Sequence, residues 1–130
     1  MYRSVTRDIQ VSVEPRFIPE DSEPDEGRFF WAYRVEIANY GEQKVQLRSR
    51  YWHITDGLGR VQEVSGPGVV GEEPVLEPGE SFEYTSGCPL PTSSGIMRGA
   101  YHMETETGEY FNVEIPAFSL DLPDTPRILN

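Results

Sequence analysis

Apolar and polar residues alternate with period two along most of the chain, and no helical period of useful length competes with that pattern. Ile9, Val11 and Val13 alternate with Gln10 and Ser12, and Trp31, Tyr33, Val35 and Ile37 alternate with Ala32, Arg34 and Glu36. Further strands are predicted over 45–55, 60–64, 81–86, 96–105 and 110–115. Turn chemistry falls between these runs. Asp56-Gly57-Leu58-Gly59 and Thr107-Gly108 fit hairpin turns, and Asn39-Tyr40-Gly41-Glu42 and Glu77-Pro78-Gly79-Glu80 mark further reversals.

Seven short strands with this spacing, and no crossover helices, predict an all-β, immunoglobulin/fibronectin type III-like β-sandwich of about seven to eight antiparallel strands. Its core is expected from Ile9, Val11, Val13, Trp31, Tyr33, Val35, Ile37, Leu47, Phe82, Tyr84, Met97, Tyr101, Met103, Phe111, Val113 and Ile115. Phe118 has the wrong parity to follow Ile115 inward unless Pro116 bends the strand and resets the face. Three segments stand outside the pattern: an acidic loop over 19–27, expected to be mobile, a Gly/Pro/Glu-rich connection over 65–78, and a tail. The expected organisation is one domain over 1–130, with an ordered core over about 5–122 and a loose tail over 123–130.

Composition narrows the setting. Cys88 is the only cysteine, so no intrachain disulfide forms, and neither an apolar leader nor a membrane-length apolar run is present, which together predict a cytoplasmic protein. The net charge of -11 argues against nucleic acid as a partner. The charge is uneven: Arg28, Arg34, Lys44, Arg48, Arg50 and Arg60 form a basic band, whereas 61–90 holds glutamates and no basic residue. The band reads either as an anion-binding face or as the ordinary polar side of two strands.

Few motifs meet the full requirements of a particular chemistry. Gly66-Pro67-Gly68-Val69-Val70-Gly71 matches a G-x-G-x-x-G loop, but no helix follows it, Pro67 removes a donor, and Glu72 and Glu73 bring negative charge. It reads as a tight turn that can still cradle an anion. The only lysine, Lys44, has no P-loop around it, and no serine-hydrolase elbow exists. Ser86-Gly87-Cys88 reads as a small residue at a strand end rather than a nucleophile. His53 and His102 are expected on neighbouring strands, a weak candidate for a divalent metal with Asp56, Glu104 or Glu106. The acidic run Asp21-x-Glu23-x-Asp25-x-Gly27 misplaces the glycine of a calcium loop and lacks its closing glutamate. Arg48-Ser49-Arg50-Tyr51-Trp52-His53 interleaves basic and aromatic residues as single-strand binders do, but Tyr51 and Trp52 point to opposite faces.

Several motifs together resemble the ApaG family. They are Arg50-Tyr51-Trp52-x-Ile54-Thr55-Asp56-Gly57, Val64-x-Gly66-x-Gly68-Val69-Val70-Gly71-x-x-Pro74, Pro78-Gly79-Glu80-x-Phe82-x-Tyr84-Thr85-Ser86-Gly87, Gly95-x-Met97-x-Gly99-x-Tyr101-x-Met103 and Ile115-Pro116-x-Phe118-x-Leu120, in that order from about Val5 to Leu122. The resemblance implies a fibronectin-III-like sandwich. It also implies kinship with domains of eukaryotic F-box and DNA-polymerase-interacting proteins that look like protein-interaction modules. In bacteria it implies an association, by name and gene neighbourhood, with diadenosine tetraphosphate hydrolase and with cobalt and magnesium handling.

The expectation is therefore a non-catalytic binding module without a cofactor, presenting the 65–74 loop and Arg48, Arg50 and Trp52 to an unidentified protein partner, with a homodimer left open. The alternative is a binder of a pyrophosphate-containing nucleotide on Gly66, Gly68 and Gly71, or of a divalent cation.

Overall fold

In the computed structural model, which describes residues 1–123, the alternating pattern becomes two antiparallel sheets packed face to face. The strands are β1 (Tyr2–Thr6), β2 (Ile9–Phe17), β3 (Phe29–Asn39), β4 (Val45–Asp56), β5 (Val61–Pro67), β6 (Val75–Leu76), β7 (Ser81–Leu90), β8 (Gly95–Thr105) and β9 (Tyr110–Leu120). One sheet runs β1-β2-β3-β7 and the other β5-β4-β8-β9, with β6 paired to the start of β4. The described residues thus hold nine strands. The two beyond the predicted seven are β1, whose turn into β2 uses Arg7 and Asp8 at positive φ without a glycine, and the two-residue β6.

The inward faces build one core. Trp31, Tyr101 and Phe118 are its largest fully buried side chains, and Trp52 packs edge-on against both Tyr33 and Phe118 at ring-centroid distances of 5.3 and 5.9 Å. Aromatic pairs in this geometry add to stability beyond the area they bury. Two residues expected inside are only half-buried: Phe111 lies beneath the Arg7 guanidinium, and Phe82 packs against Tyr84 at the rim. Asn39, buried and polar, is satisfied by donating to the carbonyls of Gln43 and Leu76, which fixes β6 beside the core.

Two bulges re-aim side chains. Between the pairs Leu47↔Met103 and Ser49↔His102, β4 carries one extra residue, Arg48. Val45 and Leu47 therefore point inward before the bulge, and Trp52 and Ile54 after it. Between Met97↔Phe118 and Gly99↔Ile115 the extra residue lies on β9 around Pro116, and Phe118 turns inward as the proline predicted.

The two sides of the sandwich differ. On one, β1 and β9 are tied together: Ser4 Oγ donates to the Glu114 carbonyl, the Glu114 amide donates to Thr6 Oγ1, and Arg7 pairs with Glu109. On the other, β5 and β7 are the sheet edges among the described residues, with a cavity between them. The 19–27 segment, expected to be mobile, is folded into two 3-10 turns (Pro19–Asp21 and Pro24–Glu26), closed by Glu23–Arg28 backbone bonds and by ion pairs from Arg28 to Glu23 and Glu26. Of the tail predicted over 123–130, residues 124–130 lie outside the described residues; just before it, the Asp121 carbonyl accepts a hydrogen bond from the Trp31 indole.

Candidate functional site

The glycine-rich stretch begins inside β5, where Gly66 pairs with Arg50. Gly68 then turns the chain at φ +60°, and any side chain there would collide with the Glu72 carbonyl. Val69 and Glu72 exchange both backbone hydrogen bonds, at 2.8 and 2.9 Å, so Val70-Gly71 is a two-residue hairpin turn. Both turn residues have positive φ, +44° and +81°, the signature of a type I′ turn. A β-branched residue in that region is strained, at a cost of order 1–3 kcal/mol. Val69 is fully buried and anchors the turn, whereas Val70 is 56 % exposed.

This geometry decides what Gly66, Gly68 and Gly71 offer an anion. The Gly68 amide donates to the Arg48 carbonyl, those of Val69 and Glu72 bond each other's carbonyls, and Pro67 has none. Within the 68–72 turn, the Val70 and Gly71 amides are the ones that make no hydrogen bond among the described residues. The loop is a self-satisfied hairpin whose glycines serve the turn and close packing rather than a converging nest of donors.

The predicted arginines behave differently from each other. Arg48, on the bulge, pairs with Glu73 and Glu104, both at 2.9 Å, which holds its guanidinium charged and ties the loop to β8. Arg50 lies over Gly66 and sends its Nη1 to the carbonyls of Pro67 and Gly68 at 3.0 and 2.9 Å, and no described carboxylate pairs with it. Most of the basic band is neutralised internally: Arg28, Arg34 and Arg60 also meet carboxylates. Trp52, expected to offer exposed aromatic surface, is 3 % exposed instead, because the Arg48 bulge turns it inward; it forms a wall of the cavity.

That cavity, about 570 Å³, opens between β5 and β7 and is walled by Tyr33, Trp52, Ile54, Val64, Val69, Tyr84, Cys88 and Met97, with Arg50, Val70 and Gly71 at the hairpin side. Its size falls in the range of small-molecule sites. Among the described residues, Arg50 is the only charged one in the lining. Burial raises the Tyr33, Tyr84 and Tyr101 phenols above the ordinary tyrosine value, so all three stay protonated at neutral pH, and the Tyr84 and Tyr101 hydroxyls hydrogen-bond each other. Burial also pushes the Cys88 thiol up to about 11, which keeps it a thiol rather than a nucleophilic thiolate. Period-two alternation places Tyr33 and Tyr84 in the core, and it carries no sign of the cavity beside them.

The histidines do not come together. β4 and β8 are neighbours, but His53 stands opposite Arg98 and His102 opposite Ser49. Four residues of strand, about 13 Å, separate them along the sheet. His102 stacks on Tyr110 and shares a hydrogen bond with Asn112. Among the described residues no three of His, Cys, Asp and Glu cluster as metal ligands, and no helix is long and apolar enough to cross a membrane.

Fold and site together define an immunoglobulin/fibronectin type III-like sandwich with a strained hairpin beside a one-sided cavity. The family model of the ApaG domain matches residues 19–105, and the chain belongs to that family. It is 63 % identical to Protein ApaG of Bradyrhizobium sp. (strain ORS 278) and 62 % identical to that of Xanthobacter autotrophicus (strain ATCC BAA-1158 / Py2), over all of both chains in each case. The crystal structure of the putative ApaA protein from Bordetella pertussis superposes with a TM-score of 0.89 at 54 % identity, covering 94 % of this chain and all of that one. The C-terminal domain of Wzt shares the fold alone, at a TM-score of 0.56 and 10 % identity over 95 % of this chain and 78 % of that one.

Proposed function

We propose that the chain is a non-catalytic binding module that presents the Val69–Glu72 hairpin and the mouth of the β5–β7 cavity to a partner protein. The observation that carries this reading is Val70: an exposed, β-branched residue held at positive φ beside a cavity. Strain of this kind persists only where surrounding contacts over-determine it, here the buried Val69 anchor and the two Arg50 hydrogen bonds, and it gathers at binding clamps. Loops on a rigid sandwich are also where such folds place recognition residues. For a catalytic role, the described lining residues offer neither a histidine nor a carboxylate, and their thiol and phenols are held protonated.

Immobilised protein carrying Val70→Asp should retain at least tenfold less of the partner captured from host lysate by the unaltered chain, with a melting transition no lower than the unaltered chain's, because aspartate tolerates positive φ better than a β-branched residue. Arg50→Glu should weaken capture in the same direction. Equal capture by Val70→Asp would remove the hairpin from the interface. Amide NMR with diadenosine tetraphosphate, ATP, Mg²⁺ and Co²⁺ addresses the small-ligand alternative, which requires saturable shifts at Gly66, Gly68 and Gly71.

A further inference from the structure

Arg50 is a cation without a counter-charge in a strongly acidic protein. Five arginines of the described chain pair with carboxylates, and the net charge is -11, yet the one arginine lining the cavity pairs with no described carboxylate. Its hydrogen bonds explain its position without neutralising it. Nη1 carries two N–H groups, and these go to the Pro67 and Gly68 carbonyls. The Nε–Nη2 edge makes no hydrogen bond among the described residues. That edge is the planar, two-donor fork that matches a carboxylate. Arg50 shares the lining of the cavity with apolar and aromatic side chains: Trp52, Ile54, Val64, Val69 and Met97.

We propose that the β5–β7 cavity binds a carboxylate carried on an apolar body, with the acid group on the free fork of Arg50 and the body against Trp52, Val64 and Met97. A phosphate or pyrophosphate is the poorer fit. A single guanidinium is the lining's one charge among the described residues, most of the lining side chains are apolar, and Glu72 and Glu73 follow on the hairpin. A monocarboxylate brings one charge for one charge and leaves an uncharged remainder for the hydrophobic walls. Two sources supply this chemistry: a free aliphatic or arylalkyl acid, and the terminal residue of a partner chain ending in an apolar side chain. The inference rests on the proposed binding role only in taking the cavity as the recognition site.

The test titrates the full chain with octanoate and 3-phenylpropanoate, and with the corresponding neutral amides, following tryptophan fluorescence and amide NMR. Both acids should saturate, with shifts centred on Trp52, Val64 and Val70, and the amides should bind at least tenfold more weakly. Arg50→Gln should lose the same factor, and Val64→Trp, which fills the cavity while leaving Arg50 in place, should abolish binding. The acid–amide comparison needs no variant, so it stands even if Arg50→Gln fails to fold. A hexapeptide ending in leucine, compared with its amidated form, separates the sources: tighter binding than octanoate assigns a chain terminus, and no binding assigns a free acid. Absence of saturation by acids and peptide alike up to about 10 mM overturns the proposal. Equal binding of acid and amide overturns it too. If acids and peptide alike fail while Val70→Asp still weakens partner capture, the inference falls and the partner-binding role stands. If the acids bind while Val70→Asp captures as well as the unaltered chain, the inference stands and that role falls.

Discussion

Asp56 closes the turn between β4 and β5 by accepting the amides of Leu58 and Arg60 on Oδ1, at 2.8 and 3.0 Å, and Arg60 Nε on Oδ2 at 2.9 Å. Desolvation works to raise its carboxyl, but the hydrogen bonds and the Arg60 charge outweigh it, and the group is held below the ordinary aspartate value. The sign of the consequence follows. A carboxylate whose folded pKa lies below its unfolded one stabilises the fold at pH values above about 3.9, and that contribution is lost as the pH falls through the folded value. Asp56→Asn should therefore lower the melting temperature at neutral pH, with the gap to the unaltered protein closing in acid. A gap that stays constant from neutrality into acid would show that the turn gains nothing from the charge. The same turn was legible in the sequence because Asp and Gly are its chemical signature. The hairpin at Val70-Gly71 was only half legible, because nothing about a valine announces positive φ.

β8 approaches β4 so closely at Gly99 that a side chain there would collide with the Tyr51 carbonyl and crowd the Trp52 backbone. Glycine is required at this point by the sheet itself, next to the β9 bulge. Gly99→Ala should destabilise the protein by about 2 kcal/mol or more, the scale of overpacking in a core, and a denaturant midpoint within experimental error of the unaltered chain would sink that account. Bulges also mark where the strand pattern stopped being readable. Alternation placed Leu47 inside and, carried on unbroken, places Tyr51 inside as well. The inserted Arg48 reverses the face, so Trp52 packs on Tyr33 and Phe118 while Tyr51 stays outside and donates to Glu63. The effect of Pro116 was anticipated because proline names its own irregularity; an arginine bulge carries no such mark. Seven of the nine strands and most of the core followed from period two, and the sandwich class from that pattern together with its turns and the lack of crossover helices; β1 and β6 did not. The cavity did not, since it depends on which edges of two separate sheets fail to meet.

At the scale of the whole molecule that asymmetry has a dynamic consequence. β1 is a short edge strand at the N-terminus, and edge position alone would make it the first to open. Its side chains are instead bonded across to β9, and Tyr2 reaches Ser119 at 2.9 Å. β5 is longer, but most of its residues are exposed, and it faces a cavity where β1 faces a partner strand. Local opening follows the number of buried contacts and bonds that must be broken, not strand length. Hydrogen exchange should therefore find the ladder amides of β5 exchanging at least tenfold faster than those of β1, and both faster than the doubly flanked β3, β4 and β8. Exchange in β1 equal to or faster than in β5 would mean that the open side of the sandwich is as firmly held as the closed one, and that the cavity is a packing defect rather than a hinge of low local stability. If β5 does lead, a ligand that fills the cavity must slow β5 and β7 selectively, because it supplies the contacts this side lacks while adding none to the β1–β9 side. The pattern of protection would then locate the ligand independently of which residue binds it.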